Sequence, residues 1–231
     1  MTRDGALVLV IDTATTRAVI ALGDAHGRIR AEQSWIAGYR HGEELLPRIE
    51  ALLAEGGTTL EAVSGIVVGT GPGAFTGLRV GIATAKGVAH ARDVPIVGVG
   101  TALALLAAAG DGNRVVLQPA GPSDRLLTRG GEPPMLLPAG EALELRPGET
   151  ILAVDLEGRA PDEAVAAGEA ALTGLGAALL TAGAARLAAG DTDDIATLVP
   201  EYVTLPRGVR AGVSDAAISF EGVRDPAGLR A

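Results

Sequence analysis

A chain of 231 residues can form one large domain or two small ones, each with a buried core. Aromatic residues are only 2% of the sequence, so the core must be built from aliphatic side chains and alanine. A formal net charge of -9 makes the chain a poor direct ligand for a nucleic-acid backbone, and the absence of cysteine excludes disulfides and thiol catalysis. Strand-like sequence begins near the N-terminus and no apolar run reaches about 18 residues, so we expect a cytoplasmic protein without a membrane span.

The first hundred residues alternate between apolar strands and amphipathic helices. Continuous or alternating apolar runs predict strands over Ala6–Asp12, Ala18–Leu22, Arg28–Ile36, Gly65–Gly69 and Pro95–Val99. Apolar residues at three- and four-residue steps predict helices over His41–Glu55 and Phe75–Ala91, and we expect Thr101 to cap a short helix that ends at Ala109. This order predicts an α/β fold built on a mixed sheet.

The composition changes near residue 110. Asn113–Gly148 is rich in proline, glycine and arginine, with short apolar pieces at Val115–Leu117 and Met135–Leu137. Ile151–Val154 is predicted as a strand and the alanine-rich Glu169–Ala189 as one helix. We therefore divide the chain into residues 1–110, residues 111–206 and a tail, 207–231, that we expect to be partly disordered.

The stretch GTGPGAFTGLRVGIATAKG from Gly69 to Gly87 has three interpretations. A phosphate-binding P-loop fails, because Lys86, the only lysine, lies deep in the predicted helix and is not followed by serine or threonine. A dinucleotide fingerprint matches loosely, but no acid ends the next strand. The third interpretation is a tight turn followed by a helix with a small-residue face at Gly77, Gly81 and Ala85, which packs either inside its own domain or against a partner chain.

A family resemblance rests on four motifs in the same order. GPGAFTGLRVGIATAKGVA resembles the signature of the TsaB (YeaZ) family, and VLVIDTATTRAVIAL, HGEELLPRIEALL and RLAAGDTDDIATLVPEYV agree with it. The resemblance covers residues 6–105 and reappears around 186–203. It implies an actin-like (ASKHA, ribonuclease H-like) fold of mixed sheets with flanking helices in two lobes, the second reduced.

The resemblance also implies partners. The family is an accessory subunit of tRNA threonylcarbamoyladenosine biosynthesis and pairs with TsaD, its catalytic relative, or with a second copy of itself; the ATPase TsaE joins the assembly and tRNA is contacted only indirectly. The two predicted helices would form the partner-binding surface. Its expected members are His41, Glu44, Leu45, Arg48, Phe75, Thr76, Gly77, Leu78, Val80, Gly81, Thr84, Ala85 and Val88.

No catalytic or metal-binding residues are expected in this chain. The first hairpin turn, Asp12 to Thr16, lacks the glycine that lets actin-like ATPases approach a phosphate, and His41 has no second histidine one turn away. Asp12, Thr13 and Lys86 are the residues that could lie near a nucleotide; the alternatives are a structural acid in the turn for Asp12 and a solvated surface residue for Lys86. ATP or ADP and a divalent cation are expected on the partner subunits. The alternative function is an actin-like enzyme that binds ATP itself and acts on a small molecule.

The second half departs from the family pattern. Val115–Gly140 reads VVLQPAGPSDRLLTRGGEPPMLLPAG, in which the expected strand sequences are not recognisable. The sequence therefore predicts no function for the second lobe.

Overall fold

The computed structural model describes residues 6–38 and 40–201. The predicted tail, 207–231, lies outside the described residues. In chain order the elements are β1 Leu7–Asp12, β2 Arg17–Asp24, β3 Ile29–Ile36, α1 His41–Glu55, β4 Val63–Gly71, α2 Phe75–Arg92, β5 Ile96–Gly100, α3 Thr101–Ala108, β6 Arg114–Ala120, β7 Asp124–Arg129, β8 Met135–Leu137, β9 Thr150–Ala153, α4 Asp162–Thr173 and α5 Leu175–Ala189.

The strands form two sheets with a shared topology. The first sheet has the order β3-β2-β1-β4-β5, and the second has the order β8-β7-β6-β9. In each sheet the opening strand pairs antiparallel with the strand that follows it and parallel with the fourth strand. The second sheet therefore repeats the first four strands of the first sheet.

The first sheet has helices on both faces. Every residue of β1 is buried, as its continuous apolar sequence predicts. Leu9 and Ile11 pack with the apolar residues of α1 and α2, whereas Val8 and Val10 pack with those of α3, α4 and α5. The helix α5 thus returns to the first sheet after the chain has built the second one.

The second sheet has a smaller core. Val115 and Leu117 of β6 pack with Leu127 of β7 and Leu137 of β8 on one face, and Val116 contributes to the core shared with the first sheet on the other face. The strand β7 was not predicted, because DRLLTR contains only two apolar residues and these are adjacent rather than alternating.

Two helix predictions need correction. The alanine-rich segment is two helices rather than one, α4 and α5, which meet at Gly174 with a bend of 50°. A Cβ at Gly174 would lie 3.2 Å from the Ala108 Cβ, so a residue with a side chain would be crowded where α3 approaches the bend. Thr101 does not cap α3: Gly100 is the N-cap residue, and the Thr101 hydroxyl bonds to Asp12 instead.

None of the described helices is by itself long and apolar enough to cross a membrane; α4 and α5 together meet that length and composition, but as a pair bent at Gly174. Both helices contribute to the buried core.

Candidate functional site

The small-residue face of α2 lies inside the chain. Gly77, Gly81 and Ala85 are buried, and the Thr13 hydroxyl donates to the Gly77 carbonyl at 2.7 Å. A Cβ on Gly81 would come within 2.2 Å of the Thr13 Oγ1. Of the two interpretations of this face, the structure shows the internal one: glycine is needed so that the helix can lie against the β1–β2 turn.

The predicted partner-binding set is corrected accordingly. Leu45, Leu78 and Val88 are also core residues, buried together with the small-residue face. The members on the outer side of the two helices are Glu44, Arg48, Phe75, Thr76, Val80 and Thr84, which are exposed or half-buried. The contact of these six with a partner stays a prediction. The helix α1 begins at His41, and Arg40 occupies the N-cap position.

The outer side of α1 and α2 carries apolar and charged groups in contact with each other. The Arg79 guanidinium stacks over the Phe75 ring with 4.1 Å to the ring centroid, and the Arg48 guanidinium lies 4.4 Å from the centroid of Trp35. Glu44 bonds Arg40 at 3.1 Å. The Phe75–Arg79 pair is exposed at the surface, whereas Trp35 belongs to the buried core and Arg48 covers its ring.

An apolar groove of about 370 Å³ runs beside α1. Its lining includes Leu46, Ile49, Leu53 and Leu60, with Val88 from α2. Leu46 is 54% exposed and was not among the predicted residues. The exposure of Leu46 could have been predicted from the sequence. Leu46 lies about 100° around the helix axis from Leu45 and therefore outside the apolar stripe that faces the core.

Asp12 is fully buried at the end of β1 within a network of neutral donors. Its Oδ1 accepts the Ala14 amide at 2.9 Å, its Oδ2 accepts the Thr101 hydroxyl at 2.6 Å, and the Thr101 oxygen accepts the Gly71 amide at 3.1 Å. Burial raises the pKa of Asp12 to about 6, against the opposing effect of the two hydrogen bonds. A Cβ on Gly69 would lie 1.7 Å from the Asp12 Oδ2, so the carboxyl rests directly on the backbone of β4.

The residues predicted near a nucleotide are not brought together. Asp12 and Thr13 are buried beside each other, and Thr13 contacts α2 at Gly77. Lys86 is half-buried nine residues further along α2 than Gly77, a separation of about 14 Å at 1.5 Å per residue. Within residues 6–38 and 40–201, no three histidine or acidic side chains come close enough to hold a metal ion.

The two sheets are joined at the β1–β2 turn. Asp155, which follows β9, accepts the Thr16 amide at 2.9 Å through Oδ2 and the Thr16 hydroxyl through Oδ1. Arg17 forms an ion pair with Glu169 of α4 at 3.0 Å, and the Gln118 amide donates to the Pro72 carbonyl at 3.3 Å. Sequence reasoning missed Asp155, yet Ile151–Asp155 ends an apolar run with an acid, as Leu7–Asp12 does.

This duplicated arrangement, with mixed sheets of one strand order and helices around them, defines the class as an actin-like α/β fold. Residues 35–124 match the family model described as TsaD, tRNA N6-adenosine threonylcarbamoyltransferase. YeaZ from Pseudomonas aeruginosa has the same fold: it superposes with a TM-score of 0.65 at 24% identity, covering 86% of this chain and 100% of that one.

Curated sequence relatives match part of this chain. The chain is 35% identical over 98 residues to the tRNA threonylcarbamoyladenosine biosynthesis protein TsaB of Escherichia coli K12, covering 42% of each chain. It is also 35% identical over 105 residues to the TsaB of Haemophilus influenzae, covering 44% of this chain and 42% of that one. The matches thus span less than half the length of these curated relatives. The family model and these relatives are therefore similar to this chain over part of its length.

Proposed function

We propose that this chain is a non-catalytic accessory subunit that pairs with TsaD and, together with the ATPase TsaE, supports threonylcarbamoyl transfer to tRNA adenosine. Two relatives are named for the biosynthesis of this modification, and the matching family model describes the transferase itself. The family-model match, 35–124, contains both α1 and α2. The sequence likeness therefore falls on the part of the chain that carries the exposed helical surface.

The observation that carries the proposal is the outer side of α1 and α2, hereafter the helix surface. It combines Leu46, 54% exposed, and Phe75, 37% exposed, with the apolar groove beside α1. Protein interfaces are organised around a few aromatic and aliphatic anchors with arginine nearby, and Phe75 with Arg79 is such a pair. Burying these side chains against a partner would contribute about 25 cal/mol per Å² of apolar area removed from water.

A non-catalytic role is consistent with the chemistry of the buried acid. Asp12 is enclosed by the chain and hydrogen-bonded through both oxygens, so it has no free face toward a substrate. The net charge of -9 suits a subunit that leaves tRNA contact to others. On this proposal ATP or ADP and the divalent cation belong to the partner subunits.

The proposal is tested by adding a side chain to the helix surface where it disturbs nothing in the chain. Gly87 is exposed on α2, and a Cβ there meets no atom within 4 Å. Gly87→Arg should stabilise the helix by about 0.5–1 kcal/mol, because glycine is unfavourable in a helix interior, and should weaken binding to the TsaD of the same organism at least tenfold in a co-purification and titration assay.

A matched control places the same side chain elsewhere. Ala170 is exposed on α4, so Ala170→Arg should leave TsaD binding unchanged. Leu46→Glu should act like Gly87→Arg, because it puts a charge into the groove. Full TsaD binding by both Gly87→Arg and Leu46→Glu would overturn the proposal. Sedimentation of the same variants shows whether self-association uses this surface.

A further inference from the structure

In nucleotide-binding proteins of this fold class, the β1–β2 turn binds a phosphate through its backbone. A nucleotide therefore fits here only if the amide groups of the turn are available to donate hydrogen bonds to it. In actin-like ATPases a glycine in this turn lets the backbone approach a phosphate. Here the turn is Thr13-Ala14-Thr15-Thr16, and two of its amides already donate to carboxylates of the same chain. Ala14 donates to Asp12 and Thr16 donates to Asp155, each at 2.9 Å. The residues of the turn therefore do not fit a nucleotide phosphate.

The inner side of the turn is also closed. The Ala74 amide donates to the Ala14 carbonyl at 2.6 Å, and a Cβ on Gly73 would lie 2.1 Å from the same carbonyl oxygen. Together with the Thr13–Gly77 bond, these contacts press the loop after β4 against the turn. No space is left between them for a ligand.

Asp155 closes the outer side from the second sheet. The Val154 amide donates to the Leu117 carbonyl at 3.0 Å, which continues the β6–β9 pairing and places Asp155 at the end of β9. Its φ of 56° is the left-handed conformation that aspartate tolerates better than most residues. In that conformation both of its carboxylate oxygens face Thr16, one accepting the amide and one the hydroxyl.

We propose that Asp155 is an internal anionic ligand of the β1–β2 turn, which keeps external oxyanions out and ties the second sheet to the first. A carboxylate presents two acceptor oxygens to an amide and a hydroxyl as a phosphate does, and such charge-assisted bonds are about twice as strong as neutral ones. The Arg17–Glu169 ion pair lies beside it on the same joint. The chain thus supplies its own anion where a nucleotide-binding relative of this fold would place a ligand.

The test follows the Thr16 amide by nuclear magnetic resonance in the full chain. In Asp155→Ala the amide loses its acceptor and should exchange with solvent at least about tenfold faster, because a hydrogen bond to a charged group is lost. Millimolar inorganic phosphate, and separately ADP, should then shift its resonance in a saturable way. In the unmodified chain neither probe should move it.

Two further variants keep the result interpretable. Glu157→Ala removes a neighbouring exposed acid and should behave like the unmodified chain. Asp155→Asn keeps the shape and tolerates the left-handed conformation, so it covers the case in which the alanine variant does not fold; it should show the same phosphate response, smaller in extent.

The proposal is overturned if phosphate or ADP shifts the Thr16 resonance in the unmodified chain. It is also overturned if folded Asp155→Ala shows unchanged exchange, or if the folded Asp155 variants show no phosphate response. These measurements use the isolated chain, so they are independent of TsaD binding. If the chain did not co-purify with TsaD, the results on Asp155 would still be valid.

Discussion

A buried carboxylate stands at each of the two sheets: Asp12 ends β1 in the first, and Glu149 immediately precedes β9 in the second. Asp12 is held by neutral donors alone, a hydroxyl and an amide, and burial raises its pKa to about 6. Glu149 receives two bonds from the Arg129 guanidinium, at 2.7 and 2.9 Å, and the Arg146 amide. The hydrogen bonds from Arg129 lower its pKa to about 2.

The two carboxylates have opposite pKa shifts because the two sheets, which share a strand order, have different surroundings. The first sheet has helices on both faces, so its central strand is enclosed by apolar side chains. The second sheet ends in a three-residue strand, β8, and the loop that follows brings Glu149 to the Arg129 guanidinium of β7 and to the backbone amide of Arg146. One topology therefore supports an apolar core in one sheet and an ion-paired loop in the other.

The largest expected effect on stability comes from substitutions in the two apolar cores, which test whether the first sheet has the stronger core. Ile11→Ala should lower the free energy of unfolding by about 4 kcal/mol, because the cavity lies between the sheet and two packed helices. Leu127→Ala should cost about 2–3 kcal/mol, because the loop residues beside it can collapse into the space. Urea unfolding measures both, and a larger loss at Leu127 would contradict the assignment of the stronger core to the first sheet.

The next effect concerns the pH dependence that Asp12 imposes. Its folded pKa lies above the unfolded value of 3.8, so its contribution favours the folded state at low pH and is lost as the pH rises from about 4 to about 6. The difference between the folded and unfolded pKa values of Asp12 corresponds to a change of about 3 kcal/mol in the free energy of unfolding. Asp12→Asn should abolish this dependence and leave stability at pH 7 equal or higher, whereas Asp111→Asn, at an exposed acid, should not. Retention of the full dependence in Asp12→Asn would assign it to another group.

A third effect, also on the pH dependence of stability, has the opposite sign and comes from Glu149. Because its folded pKa is lowered, its stabilising contribution is complete above the unfolded value of 4.5 and is lost as the pH falls toward about 2. Glu149→Gln should therefore lower the melting temperature at pH 7 and flatten its fall between pH 4.5 and 2.5. The control Glu144→Gln changes an exposed acid on the same loop and should keep the fall.

Much of the first sheet could be predicted from the sequence, because each element there carries its own signal. LVLVID is continuously apolar, and α1 has apolar residues at helical spacing with a double glycine after it. The predicted actin-like fold is confirmed by the repeated strand order and the YeaZ structure. The division into residues 1–110 and 111–206 stays a prediction.

The rest depended on contacts between distant residues. The small face of α2 could be identified, but only Thr13, 64 residues away, shows that it points inward. Likewise Ala108 of α3 lies against Gly174 at the bend between α4 and α5, and Asp155 meets Thr16 across 139 positions. The local sequence shows which residues are small, apolar or acidic, but it does not show which distant residues they will contact in the folded chain.

The return of α5 to the first sheet has a consequence for the order of synthesis. Val8, Val10 and Val67 are covered in part by a helix that begins only at Leu175, and Gly183 of that helix lies so flat on β4 that a Cβ would meet Val67 at 2.2 Å. At about 5–20 residues per second, the ribosome releases all five strands seconds before their last cover. A nascent chain or fragment ending near residue 110 therefore exposes a valine-rich face, a surface that chaperones bind and that other nascent chains can stick to.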